Sequence, residues 1–121
     1  MNIAFLLENS AKRHPEKVAL VFEDKKFTYE QLNDLASRFA KGLKKLGLKK
    51  GDLVVLMMQN SPEFIVAYYA IARLGCVVIP VNFLFKVHEL SHIINDASFV
   101  SCGYYYDYDT YFCPSNQKTW L

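Results

Sequence analysis

The chain predicts an α/β fold: a partial layered domain with mostly parallel strands and crossover helices, preceded by a helix and a hairpin. Three observations carry this. First, Leu53–Met58 and Cys76–Val81 are apolar at every position, which is how a strand reads when it is covered on both faces. Second, Pro62–Leu74 lies between them and is apolar on most sides of a helix, through Phe64, Ile65, Tyr68, Ile71 and Ala72. Residues 53–81 therefore form a strand–helix–strand unit, a crossover that is right-handed in nearly all cases. Third, the alternation continues, with a helix expected over Val87–Asp96 and a third parallel strand over Ser98–Cys102.

The earlier elements follow from local rules. Ile3, Leu6, Leu7 and Ala11 fall near helical spacing and predict a short amphipathic helix over 3–13. Pro15 breaks it. Lys17–Phe22 is rich in Val and Phe, Glu23–Lys26 is a charged turn and Phe27–Tyr29 returns, so a hairpin is expected over 18–28. Thr28 with Gln31 three residues on has the spacing of a capping box, in which each side chain satisfies a backbone N–H of the first turn. Leu32, Leu35, Ala36, Phe39, Leu43 and Leu46 place an apolar stripe on the helix behind it. Lys44 and Lys45 suit the negative end of its dipole, and Gly47 suits its left-handed stop. Gly51-Asp52 turns the chain into the first apolar strand. Ser61 is placed to cap the next helix, Pro62 fits its first position and Glu63 its positive end. Gly75 ends it.

Length and composition bound the rest. A chain of 121 residues is one domain at most. Its 52% apolar and 21% charged residues make it globular. A net charge of +2 gives no reason to expect nucleic acid or an anionic membrane as partner. Cys76, Cys102 and Cys113 form no CxxC pair, and their odd number argues against a disulfide framework. The N-terminal run Ile3–Leu7 has no basic leader and stops at Glu8, so no signal peptide is expected. The apolar run Phe64–Ala72 ends at Arg73, short of the about 20 residues a membrane span needs. A cytoplasmic, reducing setting follows as the expectation.

Three patterns bear on chemistry. His88-Glu89-Leu90-Ser91-His92 matches HExxH, which puts two imidazoles one helical turn apart and, in zinc peptidases, a Glu beside the metal-bound water. No His or Glu follows His92 to supply a third ligand. Asp96, Asp107, Asp109 and the two later cysteines stand at no recognisable spacing. The expectation is therefore no metal site, with His88 and His92 as the candidates and a zinc peptidase as a remote alternative. Lys41, Lys44, Lys45, Lys49 and Lys50 form a basic cluster that could attract a phosphate-rich ligand, against the simpler reading of a solvated helix end. No aromatic residue interleaves with them, which disfavours a nucleic-acid platform. The sequence contains no GxGxxG, no GxxxxGK followed by Ser or Thr, and no Gly-x-Ser-x-Gly.

Several of these short signals stand in a specific order: Phe27-Thr28-Tyr29, Leu46-Gly47, Gly51-Asp52, Asn60-Ser61-Pro62-Glu63-Phe64, Gly75 and Pro80-Val81-Asn82. In this order and spacing the chain resembles the opening segment of the adenylate-forming enzymes, the acyl-CoA synthetase and AMP-binding ligase superfamily, over roughly residues 1–101. The resemblance implies a two-step ligase that activates a carboxylate, such as a fatty acid, with ATP and magnesium to an acyl-adenylate. It then passes the acyl group to the thiol of coenzyme A. It also implies a Ser/Thr/Gly-rich phosphate loop, a later Tyr-Gly-x-Thr-Glu segment, a hinge Asp and a Lys on a mobile domain. None of these has a counterpart in this sequence, so no catalytic and no cofactor-binding residue is assigned. The chain itself is expected to be inactive. The other reading is a non-catalytic module that associates with full-length ligase paralogues.

Residues 1–102 are thus expected to be the N-terminal part of an AMP-binding domain. Beyond them the character changes: Tyr104, Tyr105, Tyr106, Tyr108 and Tyr111 crowd together without a period of two or 3.6. Residues 103–121 are expected to be a tail foreign to the fold, from a frameshift or premature end, against the plainer reading of a Tyr-rich loop packed on the sheet. A sheet cut in mid-domain would expose an edge, so marginal stability and self-association are expected.

Overall fold

The computed structural model describes residues 2–82, 84–96, 101–106 and 109–114. Helix α1 (Ala4–Arg13) is followed by strands β1 (Val18–Phe22) and β2 (Lys25–Thr28) and helix α2 (Tyr29–Lys45). Then come β3 (Leu53–Met57), α3 (Pro62–Arg73), β4 (Val77–Val81), α4 (Val87–Asp96), β5 (Ser101–Tyr106) and β6 (Asp109–Pro114). The expected α/β architecture is present. β1 and β2 form a separate antiparallel hairpin, and the second sheet has the order β4-β3-β5-β6. β3 pairs in parallel with both β4 and β5, whereas β6 is antiparallel to β5.

The helix ends follow their sequence signals. Thr28 and Gln31 form the reciprocal capping box, with the Thr28 N–H donating to Gln31 Oε1 at 2.9 Å and the Gln31 N–H to Thr28 Oγ1 at 3.2 Å. Ser61 Oγ accepts from the Phe64 N–H at 3.3 Å, with Pro62 in the first turn. α1 uses a device the sequence pattern did not reveal: Asn2 Oδ1 accepts from the Ala4 N–H at 3.1 Å, while Asn2 Nδ2 donates to the Ala72 carbonyl on α3.

The core has two centres. One joins Ala40 and Leu43 of α2 to Val54 and Leu56 of β3 and Ala67, Ala70 and Ile71 of α3, with Cys76 below. The other packs Leu7 of α1 against Leu32 and Ala36 of α2, under Leu20, Phe27, Val66 and Tyr69. β3 is covered on both faces as its composition implies, since Val55 and Met57, alternating with Val54 and Leu56, are also buried.

Several expectations are corrected. α1 buries Ala4, Leu7 and Ala11, while Ile3 and Leu6 are exposed. α2 buries Leu32, Ala36, Ala40 and Leu43, leaving Phe39 and Leu46 exposed. In both helices only the line of residues that meets neighbouring elements is buried, and the large residues flanking that line are not. β4 has the same apolar composition as β3 but is the outer strand of the sheet, with Val77 and Pro80 exposed. The hairpin turn is Glu23-Asp24, two residues rather than four, because Phe22 pairs with Lys25, and Glu23 takes a positive φ of 52°. β5 covers Ser101–Tyr106, and residues 98–100 of the expected strand lie outside the described residues. Its partner β6 lies in the Tyr-rich segment 103–121, where no strand is assigned from the sequence. Residues 97–100 and 115–121 lie outside the described residues.

Gly75 has φ +74°, and a Cβ there would sit 2.9 Å from Lys50 Cγ, so the Lys50 stem must shift. Backbone strain and collision therefore act together. Gly75→Ala is expected to cost about 1–2 kcal/mol, read as a lower urea midpoint with an unchanged slope.

Candidate functional site

Arg73, at the end of α3, is the polar centre of the molecule. One guanidinium nitrogen, Nη1, donates to the Asn33 carbonyl at 3.2 Å and to Ser37 Oγ, and Nη2 donates to Asn33 Oδ1 at 2.7 Å. Glu8 Oε1 of α1 lies 3.1 Å from Nε, an ion pair whose oxygen stands off the N–H direction. The charge is thus divided between α1 and α2. Asn2, Ala4, Phe5, Glu8 and Arg73 line an open cleft of about 520 Å³ at this junction. The sequence marks Arg73 only as the interruption of an apolar run, because its partners lie 36 to 65 positions away.

At the carboxyl ends of β3 and β4, where open α/β sheets bind ligands, the polar side chains close local turns. Ser61 caps α3 as above, and Asn82 Oδ1 accepts from the Leu84 N–H at 3.0 Å. Lys41, Lys44, Lys45, Lys49 and Lys50 are all exposed. The Lys49 N–H donates to Asp52 Oδ2 at 2.7 Å, which fixes the turn into β3. Of the three arginines, Arg73 is held as above, Arg38 pairs with Asp34 at 3.3 Å and Arg13 is exposed in the last turn of α1. Binding a nucleotide triphosphate needs several convergent donors.

His88 and His92 stand together on α4, as the spacing requires, with ring centroids 5.6 Å apart and planes at 77°. Both are exposed. Glu89 does not stand with them: its Oε2 accepts the Lys86 N–H at 2.9 Å and caps α4. Among the described residues no three His, Cys, Asp or Glu side chains converge.

Cys76 is buried, and its thiol donates to the Lys49 carbonyl at 3.2 Å. Burial pushes the thiol above its ordinary value of 9.0, the Asp52 carboxylate adds to this, and a hydrogen bond from the Asp52 backbone partly offsets both.

Comparison with known proteins places this architecture. Residues 7–102 match the family model of the AMP-binding enzymes. A long-chain-fatty-acid–CoA ligase of Mycobacterium tuberculosis, FadD13, is 41% identical over 98 residues, covering 79% of this chain and 20% of that protein. A solved fatty acyl CoA synthetase from Mycobacterium tuberculosis superposes with a TM-score of 0.78 at 39% identity, over 84% of this chain and 20% of that one. The N-terminal subdomain of Klebsiella oxytoca NpsA, in complex with 3-hydroxyanthranilyl-AMSN, gives a TM-score of 0.81 at 28% identity, over 84% and 26%. The fold and the order of its turns are those of the opening portion of an adenylating α/β domain. The chain belongs to the AMP-binding enzyme family. It spans about a fifth of the length of curated acyl-CoA synthetases and ligases that it matches. No described helix is long and apolar enough to cross a membrane.

Two outcomes follow. Arg73→Met keeps most of the side-chain volume but strands Glu8 and Asn33, and is expected to cost about 2 kcal/mol. Glu8→Gln, at a partly solvated carboxylate, is expected to cost less than about 1 kcal/mol. Chemical denaturation of the two variants measures both. For Cys76 the folded chain keeps its proton at pH values where the unfolded chain has lost it. Its contribution is therefore complete below 9.0 and declines as the pH rises through that value and above. Urea midpoints measured between about pH 8 and 10 should fall less steeply for Cys76→Ala than for the parent chain.

Proposed function

We propose that this chain is the N-terminal scaffold portion of an ATP-dependent carboxylate–CoA ligase, with fatty acids as the substrate class, and that these 121 residues do not form acyl-adenylate on their own. The observation that carries the reading is the match of residues 7–102 to the AMP-binding enzymes, joined to a sequence without a phosphate-binding loop. The complete ligase would use ATP and magnesium to activate the carboxylate and coenzyme A to accept the acyl group. The name of the Mycobacterium relative supports the substrate class. The matched signals in this chain serve as caps, turns and buried strand, and no residue here is given a catalytic or cofactor-binding role. A cytoplasmic location fits this reading.

Residues 103–121 form, on this proposal, a segment separate from the 1–102 domain portion. The family match ending at 102 supports the division. Sequencing the encoding DNA in all frames tests it: a family-like continuation in another frame is the expected result, and none in any frame overturns it.

A second reading, a non-catalytic module that associates with full-length ligases, is favoured by one feature. β4 is an outer strand with Val77 50% exposed, so a partner's strand or apolar surface could cover it. Pull-down of a full-length ligase by this chain, lost on Val77→Lys, would favour the module.

The activity is tested by pyrophosphate release with ATP, magnesium and mixed fatty acids. The expected rate equals the blank, and turnover above it overturns the proposal.

A further inference from the structure

We propose that His88 and His92 form a two-imidazole chelate for a divalent transition-metal ion on the exposed face of α4. The argument is geometric. Residues four apart lie one turn apart on the same helix face, and here both rings are exposed with centroids 5.6 Å apart. Two imidazoles bound at about 2.0–2.1 Å on adjacent coordination positions have ring centres roughly 5 Å apart. The observed separation of 5.6 Å is close to that distance.

The other polar side chains described on this helix are committed to its backbone. Glu89 Oε2 accepts from the Lys86 N–H, and Ser91 Oγ donates to the Val87 carbonyl at 2.7 Å. The site is therefore two neutral nitrogens with the remaining positions held by water. Such a donor set takes borderline ions, in the order copper above nickel and zinc, and not the oxygen-seeking magnesium or calcium. It differs from a zinc peptidase in the part played by Glu89, which serves as helix cap and not as a base beside metal-bound water. Because the chelate spans one turn, the bound ion holds α4 in its helical conformation.

Titration of the intact chain with nickel chloride, followed by calorimetry, tests this. One nickel per chain is expected, with magnesium chloride giving no heat. His88→Gln and His92→Gln should each weaken nickel binding at least tenfold, while Glu89→Gln, which can still cap the helix, should leave it within twofold. The thermal midpoint should rise with nickel in the parent chain and not in the histidine variants. Far-UV circular dichroism without metal shows whether each variant is folded. Equal nickel affinity in the parent chain and both histidine variants, or no saturable binding by the parent, overturns the proposal. A tenfold loss in Glu89→Gln with its fold intact also overturns it, since the carboxylate would then belong to the metal site. None of these readouts depends on ligase activity.

Discussion

A single guanidinium fixes how the helices stand over the sheet. Arg73 carries a side chain only 16% exposed, and a cation so placed is costly unless its donors are met. The two Nη groups donate to Asn33 and Ser37 on α2, while Nε–H has no hydrogen-bond partner and the Glu8 carboxylate of α1 balances the charge as an ion pair. The planar fork of an arginine suits this division, because its donors diverge and a lysine ammonium could not reach both helices in fixed geometry. Asn2 adds a second tie from the start of α1 to the Ala72 carbonyl, one residue before Arg73. The apolar contacts on either side are short-range and shape-dependent, with Ala36 and Ala70 fully buried in the two core centres. Small residues in such positions permit close helix approach but do not choose among sliding positions. The polar centre makes that choice, since a shift of one turn would leave Asn33 and Glu8 out of reach.

What could be read from sequence divides along the distance over which each feature is determined. Thr28 with Gln31, Ser61 with Pro62, and the glycines at 47, 51 and 75 act within one turn of chain, and each sits as its residue type requires. The unbroken apolar runs identified β3 and β4 as parallel strands but could not say which is central, because that depends on where the later chain returns. β5 returns beside β3 and leaves β4 outside, so two segments of equal hydrophobicity end with unequal burial. The stripes on α1 and α2 were located to within one position, and the error has one origin. Periodicity identifies an apolar face about a third of the helix wide, whereas packing buries only the line that meets a neighbour. Phe39 and Leu46 lie on the flank of that line. The histidine pair was legible from spacing alone, but the cap formed by Glu89 required the start of α4 to be placed at Val87. The Arg73 centre was not legible at all, since nothing local distinguishes it from a helix-terminal arginine in solvent.

The same division separates scaffold from chemistry. In this chain the short polar side chains at loop positions are spent on the backbone: Asn2, Thr28, Gln31, Asp52, Ser61, Asn82 and Glu89 each close a turn or a helix end. Committing them locally gives well-defined helix starts and sharp turns; of these, Ser61 and Asn82 lie at the carboxyl ends of β3 and β4. Transfer of a phosphoryl or adenylyl group depends on donors held ready for developing negative charge, and this sequence contains no GxxxxGK followed by Ser or Thr to supply a convergent set.

The residues that remain uncommitted on the surface are therefore the informative ones. The lysines of the α2 end are solvated and separately mobile on long stems, so they contribute a diffuse field and no fixed geometry. His88 and His92 are different, because both are short, rigid and placed on consecutive turns of one helix. A pair of neutral donors at fixed separation selects ligands by coordination geometry, whereas a lysine cluster selects only by charge. Glu89 Oε2 accepts the Lys86 N–H, so in this structure that oxygen closes the first turn of α4. The HExxH spacing on α4 thus encodes a helix cap and two exposed imidazoles, and the resemblance to a hydrolytic centre ends at the spacing.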